Sequence, residues 1–127
     1  MQEVADSLTG ISVVTATYNE CKSLPILIST IRRILDGVTH EIIVVDDSST
    51  DGTFEAAKSA DVAVVKKREG QTVALLTGMK RAKFPTVVTM DADLENPPEL
   101  IQVLAERIVD SDIVVAPESL FRDFQRK

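Results

Sequence analysis

Asp91, Ala92 and Asp93 stand near the middle of the chain, between an apolar run, Val87 to Met90, and a proline-marked helix start at Pro97. That context places two carboxylates where a buried strand meets solvent. Residues two apart in an extended backbone project to the same face, so Asp91 and Asp93 are positioned to close on one hard cation. A divalent metal held this way commonly carries phosphates with it. A second strand-like run, Ile42 to Val45, also ends in paired acids, Asp46 and Asp47. Two acidic strand ends predict one shared cleft. A single acidic pair is equally the mark of a solvated, helix-capping turn, and Asp51 reads as such a cap.

The elements that must hold these acids alternate between β-branched runs and helical periods. Ile11 to Thr15 reads as strand one, leading into a polar turn, Thr17 to Glu20. From Ser23 as N-cap, with Pro25 in the first turn, Leu24, Leu27, Ile28, Ile31 and Leu35 recur at helical spacing until Gly37. Glu41 to Val45 is continuous rather than alternating, as in a parallel strand covered on both faces, and Ser48 to Gly52 form a turn. A helix over 51–60 carries Phe54 and Ala57 inward. Strand three is Val62 to Val65, followed by a basic loop with Lys66, Lys67, Arg68 and Gly70 that reads as a solvated rim. Thr72 to Lys83 is helical with Val73, Leu76 and Met79 on one side, and the helical apolar stripes read as core. Thr86 to Met90 is strand four. Asn96 to Val109 is the next helix, opened by Asn96 as N-cap, Pro97 at the first position and Glu99 at capping-box spacing. Ile113 to Ala116 is strand five.

This alternation predicts an α/β fold of three layers, a mainly parallel central sheet between helices. The expected domain covers 11–116, with an N-terminal extension over 1–10 and a tail over 117–127. Ligands of such sheets bind beyond the carboxyl ends of the strands. The acid pairs, the Thr17 to Glu20 loop and the basic loop all fall on that edge.

The bulk properties narrow the class. A chain of 127 residues fits one domain that buries roughly two thirds of its unfolded surface. Fourteen Lys and Arg against 20 Asp and Glu leave a net charge of −6, which argues against nucleic acid as a partner. No apolar run approaches the ~20 residues that cross a bilayer, and residues 1–10 lack a signal-peptide core. The single Cys21 cannot form an internal disulfide, in keeping with a reducing compartment, and reads as a small hydrophobe. The expected location is the cytoplasm. No basic or amphipathic membrane anchor is read.

Thr17-Tyr18-Asn19-Glu20, then Val44 to Thr53 with its Asp46-Asp47-Ser48-Ser49, then Met90-Asp91-Ala92-Asp93-Leu94 with Pro97-Pro98-Glu99, together resemble the family 2 glycosyltransferases, closest to the dolichol-phosphate mannosyltransferase type. The resemblance runs from about Ile11 to Ala116. It implies the donor-binding half of a GT-A fold, a GDP- or UDP-linked sugar as donor, and Mg²⁺ or Mn²⁺ as cofactor. By it, Ala16, Tyr18, Glu20, Val45 and Asp47 line the base and ribose pocket. Asp91, Ala92 and Asp93 match the metal and diphosphate motif, with Asp93 the catalytic position, and Asp91, Asp93 and Glu95 would reach the metal. The implied reaction is inverting transfer to an acceptor such as a polyprenyl phosphate at a membrane face. Arg68 and the preceding lysines would add positive charge near the phosphates.

Departures are visible: Ala16 where the family usually has proline, Gly70-Gln71-Thr72-Val73 where it is glycine-rich, and Glu95 for glutamine. In the family roughly as much chain again follows strand five, so the sequence reads as apparently truncated or completed by a partner. The chain alone is expected to be weakly active, and apolar surface left by a missing half would favour self-association. Two other classes fit in part. A receiver-type phosphoacceptor domain has similar length and strand-end acids, but its acid pair follows strand one and a lysine follows its strand five. A non-catalytic nucleotide-binding or assembly domain is the other.

Overall fold

A computed structural model describes residues 9–95, 97–108 and 111. In chain order it contains β1 (Ile11–Thr17), α1 (Leu24–Ile34), β2 (His40–Asp46), a one-turn α2 (Thr53–Ala56) continued by a 3-10 turn (Ala57–Ser59), β3 (Val62–Val65), α3 (Gln71–Arg81), β4 (Thr86–Asp91) and α4 (Leu100–Ile108). The four described strands form one parallel sheet in the order β3-β2-β1-β4. Strand five, expected at Ile113 to Ala116, lies outside the described residues, as do Asn96 and Val109.

The sheet is buried on both faces, which is why β1 and β2 carry near-continuous apolar runs. On one face Ile11, Val13, Ile42, Val44 and Val88 pack with Leu24, Leu27, Ile28 and Ile31 of α1 and with Ile101 and Ala105 of α4. On the other, Val14, Ile43 and Val45 pack against Ala74 of α3. The three layers match the expected α/β arrangement.

α1 follows its apolar stripe, and Gly37 after it adopts a φ of +82° that favours glycine. Its start differs from expectation. Ser23 has helical dihedrals and makes no side-chain cap; its hydroxyl donates to the Ala92 carbonyl at 2.6 Å, tying α1 to the loop after β4. The helix expected over 51–60 is one α-turn and a 3-10 turn; Ala57 is fully buried but Phe54 is exposed. The N-cap of this turn is Gly52, with no side-chain cap, and Asp51, expected as the cap, stands one residue earlier and accepts the Thr53 amide at 3.0 Å. α4 begins at Leu100, after a turn in which the Leu100 amide reaches the Pro97 carbonyl at 3.0 Å.

The largest correction concerns α3. Val73, Leu76 and Met79 are exposed, and the helix meets the sheet through Ala74 and Gly78 instead. Small residues let the helix backbone approach so closely that bulkier side chains cannot fit beneath it. A Cβ placed on Gly78 would come within 2.4 Å of Val14 Cγ1 and 3.2 Å of Val45 Cγ2. Val14 is β-branched and has little freedom to move aside. Gly78→Ala should therefore cost about 1–3 kcal/mol through overpacking, despite the roughly 1 kcal/mol that alanine gains over glycine in a helix. Urea unfolding measures this, and an unchanged or raised midpoint would contradict the close approach.

Candidate functional site

Parallel register sets the site. Ala16 is level with Val45 and with Asp91, and Thr17 with Asp46, so β1, β2 and β4 end on one rim. Beyond that rim a cleft of about 260 Å³ is lined by Ala16, Thr17, Tyr18, Glu20, Asp47, Arg68, Gly70, Gln71, Asp91, Ala92 and Asp93.

The first and second loops are laced to each other. The Asn19 amide donates to Ser49 Oγ at 2.8 Å, the Thr50 amide to Asn19 Oδ1 at 3.0 Å, and the Glu20 amide to Thr53 Oγ1 at 2.9 Å. Asp46 organises this loop and does not face the cleft space: its carboxylate accepts from Thr17 Oγ1 at 2.7 Å and from the Ser49 amide and hydroxyl at 2.9 and 2.6 Å. Cys21, expected as a plain hydrophobe, is half-exposed with its amide on Asp51 Oδ2. Hydrogen bonding to Asp51 raises its thiol pKa, so it is held away from the thiolate form a nucleophile needs.

Asp47 is buried at the cleft wall and holds the loop after β3. It accepts the Glu69 and Gly70 amides at 2.9 and 3.0 Å and Arg68 Nη1 at 3.2 Å, with Lys66 Nζ at 3.8 Å. Burial alone would raise its pKa; the two amides and the charges of Arg68 and Lys66 outweigh it and hold the carboxyl below its ordinary value. Arg68 also lies 3.3 Å from the centroid of the Tyr18 ring, a cation–π contact across the cleft mouth. The basic loop is thus partly structural: the Lys66 side chain is only 12% exposed.

Asp91 ends β4 and accepts Gln71 Nε2 at 2.5 Å. The strand does not continue to Asp93, so the two carboxylates are not aligned by an extended backbone as expected. A bend brings Asp93 to the same cleft, and Leu94 beyond it has a φ of +65°, rare for a branched residue. Leu94 is held there by packing against the core. Burial raises the Glu20 pKa, opposed by the Tyr18 amide and reinforced by the negative fields of Asp93, Asp46 and Asp51.

Of the residues expected at the site, Ala16, Tyr18, Glu20, Asp47, Asp91, Ala92 and Asp93 line one cleft. Val45 does not: it faces the opposite way, into the core beside Gly78 of α3. Glu95 is not among the lining residues either; its amide donates to Asp93 Oδ1 at 3.0 Å. Among the described residues no three His, Cys, Asp or Glu side chains form a ready metal cage. That still fits a magnesium-like ion, which is typically held by one or two carboxylates and completed by substrate phosphates and water. The sequence reading placed Arg68 near the phosphates but gave no site role to Gly70 and Gln71, which complete that wall of the cleft. The Gly70-Gln71 departure from the family's glycine-rich pattern was the available signal.

The sequence model of glycosyl transferase family 2 matches residues 12–124. The chain belongs to this family. It is 42% identical over 112 residues to a dolichol-phosphate mannosyltransferase of Pyrococcus furiosus, covering 83% of this chain and 32% of the relative. It is 36% identical to an undecaprenyl-phosphate 4-deoxy-4-formamido-L-arabinose transferase of Aeromonas hydrophila, covering 83% and 35%. Among solved structures, glucosyl-3-phosphoglycerate synthase of Mycobacterium tuberculosis in complex with Mn²⁺ and UDP-glucose matches with a TM-score of 0.73 and 28% identity, over 86% of this chain and 43% of that one. The same enzyme has been crystallised with Mg²⁺ and UDP. The chain spans about a third of the length of these curated relatives.

Asp47 carries a pH prediction. Its pKa is lower folded than the roughly 3.9 of an unfolded aspartate, so its contribution is fully present above that value and fades as pH falls through the folded one. At pH 7, Asp47→Asn should lower the thermal midpoint by roughly 4–8 °C, the shift that about 1–2 kcal/mol produces in a domain of this size when the charge is lost and an acceptor oxygen is kept. Below about pH 4 the gap between variant and parent should close. A gap that persisted into strong acid would remove Asp47's charge from the account.

Proposed function

We propose that the cleft binds the nucleoside diphosphate part of a sugar donor through a divalent cation, as the donor site of a glycosyltransferase whose acceptor is a polyprenyl phosphate. The observation that carries this reading is electrostatic. Four carboxylates, Glu20, Asp47, Asp91 and Asp93, share the cleft with one guanidinium, Arg68, which is itself engaged by Asp47. A diphosphate entering such a space meets like charge, and a bridging cation reverses the sign of that interaction. Asp91 and Asp93 are the hard oxygen donors for it. When bound, Mg²⁺ or Mn²⁺ would stabilise the negative charge that gathers on the leaving diphosphate.

The other residues take roles that follow from their surroundings. Gln71 holds the Asp91 carboxylate in place. Tyr18, 40% exposed at the mouth, offers a ring face to the nucleobase. Asp47, fixed by the loop after β3, offers a permanent acceptor to a base N–H. A phosphate acceptor is already anionic at neutral pH, so it needs less help from a general base than a sugar hydroxyl. The names of the two lipid-phosphate transferases support that acceptor class, and the UDP complexes of the solved relative support a nucleotide donor. The receiver reading is not supported: its acids follow strand one, and β1 ends here in Ala16 and Thr17.

Calorimetric titration tests the proposal. GDP or UDP should bind in the presence of Mn²⁺, and Asp93→Ala should weaken that binding by roughly tenfold or more. Binding that is absent, or the same with and without metal, would leave the non-catalytic assembly reading instead.

A further inference from the structure

The face that α3 turns away from the sheet combines two features that the cleft does not use. Leu76 is 50% exposed, Met79 44% and Val73 37%. At 100° per residue, Leu76 lies opposite the Ala74 and Gly78 side that meets the sheet, with Val73 and Met79 flanking it. The second feature is charge. From Gly70 to Met90 there is no Asp or Glu, the longest such stretch in a chain with 20 acids, and Lys80, Arg81 and Lys83 are all exposed within it.

We propose that this face of α3 docks the protein on an anionic lipid surface. An outward apolar stripe bordered by cations and free of carboxylates suits the boundary between headgroups and acyl chains. Leu76, Met79 and Val73 enter the acyl boundary, and Lys80, which projects between Leu76 and Val73, pairs with lipid phosphate, with Arg81 and Lys83 adding positive charge at the helix's C-terminal end, while the acidic remainder of the chain stays away from the same surface. Geometry links this face to the cleft, because α3 begins at Gln71, which bonds Asp91 in the cleft wall. A bilayer lying along α3 therefore sits beside the cleft. This rests on the lipid-phosphate reading above, to which it adds the surface that meets the membrane. With only 11 residues in α3, attachment is reversible and depends on lipid charge.

The test is flotation of the 127-residue chain with vesicles of phosphatidylcholine alone or mixed with phosphatidylglycerol. The chain should float with the anionic vesicles and remain behind with the neutral ones. Leu76→Glu with Met79→Glu should abolish flotation, and Lys80→Gln should weaken it on the order of fivefold. GDP or UDP titration of the same variants should match the parent, since none of these residues lines the cleft. Equal flotation of parent and variants, or no flotation of the parent, would overturn the proposal. A parent that does not float and is dimeric by light scattering, and that Leu76→Glu makes monomeric, would assign the face to a second copy instead. Flotation without nucleotide binding would sink the donor reading alone, and nucleotide binding without flotation would sink only the docking surface.

Discussion

β1 is hydrogen-bonded on both sides, to β2 and to β4, and its parallel register with each brings Thr17 level with Asp46 and Ala16 level with Asp91. The residues that β1, β2 and β4 bring to the cleft depend on that alignment. A shift of one residue in either ladder would turn a strand's buried side chains to the other face, and both faces here are filled by helices. The apolar core and the acidic rim are therefore consequences of the same pairing. The rim gathers carboxylates because they sit where the strands run out of buried partners.

The loops beyond the rim are rigid for a different reason. Asp46 and Asp47 are adjacent, and the chain uses them in opposite directions. Asp46 bonds back to Thr17 and locally to Ser49 and locks the first two loops together; Asp47 bonds forward to Glu69, Gly70 and Arg68 and draws the loop after β3 over the cleft. Among the described residues three non-glycines have positive φ, Asn19, Ser48 and Leu94, one on each of the three loops that surround this rim. Such conformations cost roughly 1–3 kcal/mol each and persist where neighbouring contacts over-determine them. Here those contacts are the inter-loop hydrogen bonds and the packing of Leu94 on the core.

Charge is distributed as unevenly as shape. The cleft concentrates carboxylates, and the outer face of α3 excludes them. The two regions meet at Gln71, whose amide bonds Asp91 while its helix presents Leu76 and Met79 to solvent. A domain with this polarity has one end suited to a cation and its phosphates and one side suited to an anionic surface.

The strand runs, the acidic pairs after them and the order of the motifs were legible in the sequence because they are local. β-branched runs make strands, and carboxylates at their ends cannot be buried without partners. Those patterns were enough for the α/β class, and the ordered motifs carried the family resemblance that implied seven of the lining residues. What they could not show was which face of a helix turns inward when small and large apolar residues compete. In α3 the close approach allowed by Gly78 decided in favour of Ala74 and left Leu76 outside, against the usual reading of an apolar stripe. The inward facing of Val45, the burial of Lys66, the bend that brings Asp93 beside Asp91 and the use of Ser23 as a tie to Ala92 are of the same kind. Each depends on contacts between segments far apart in the chain, and only the folded structure brings those segments together.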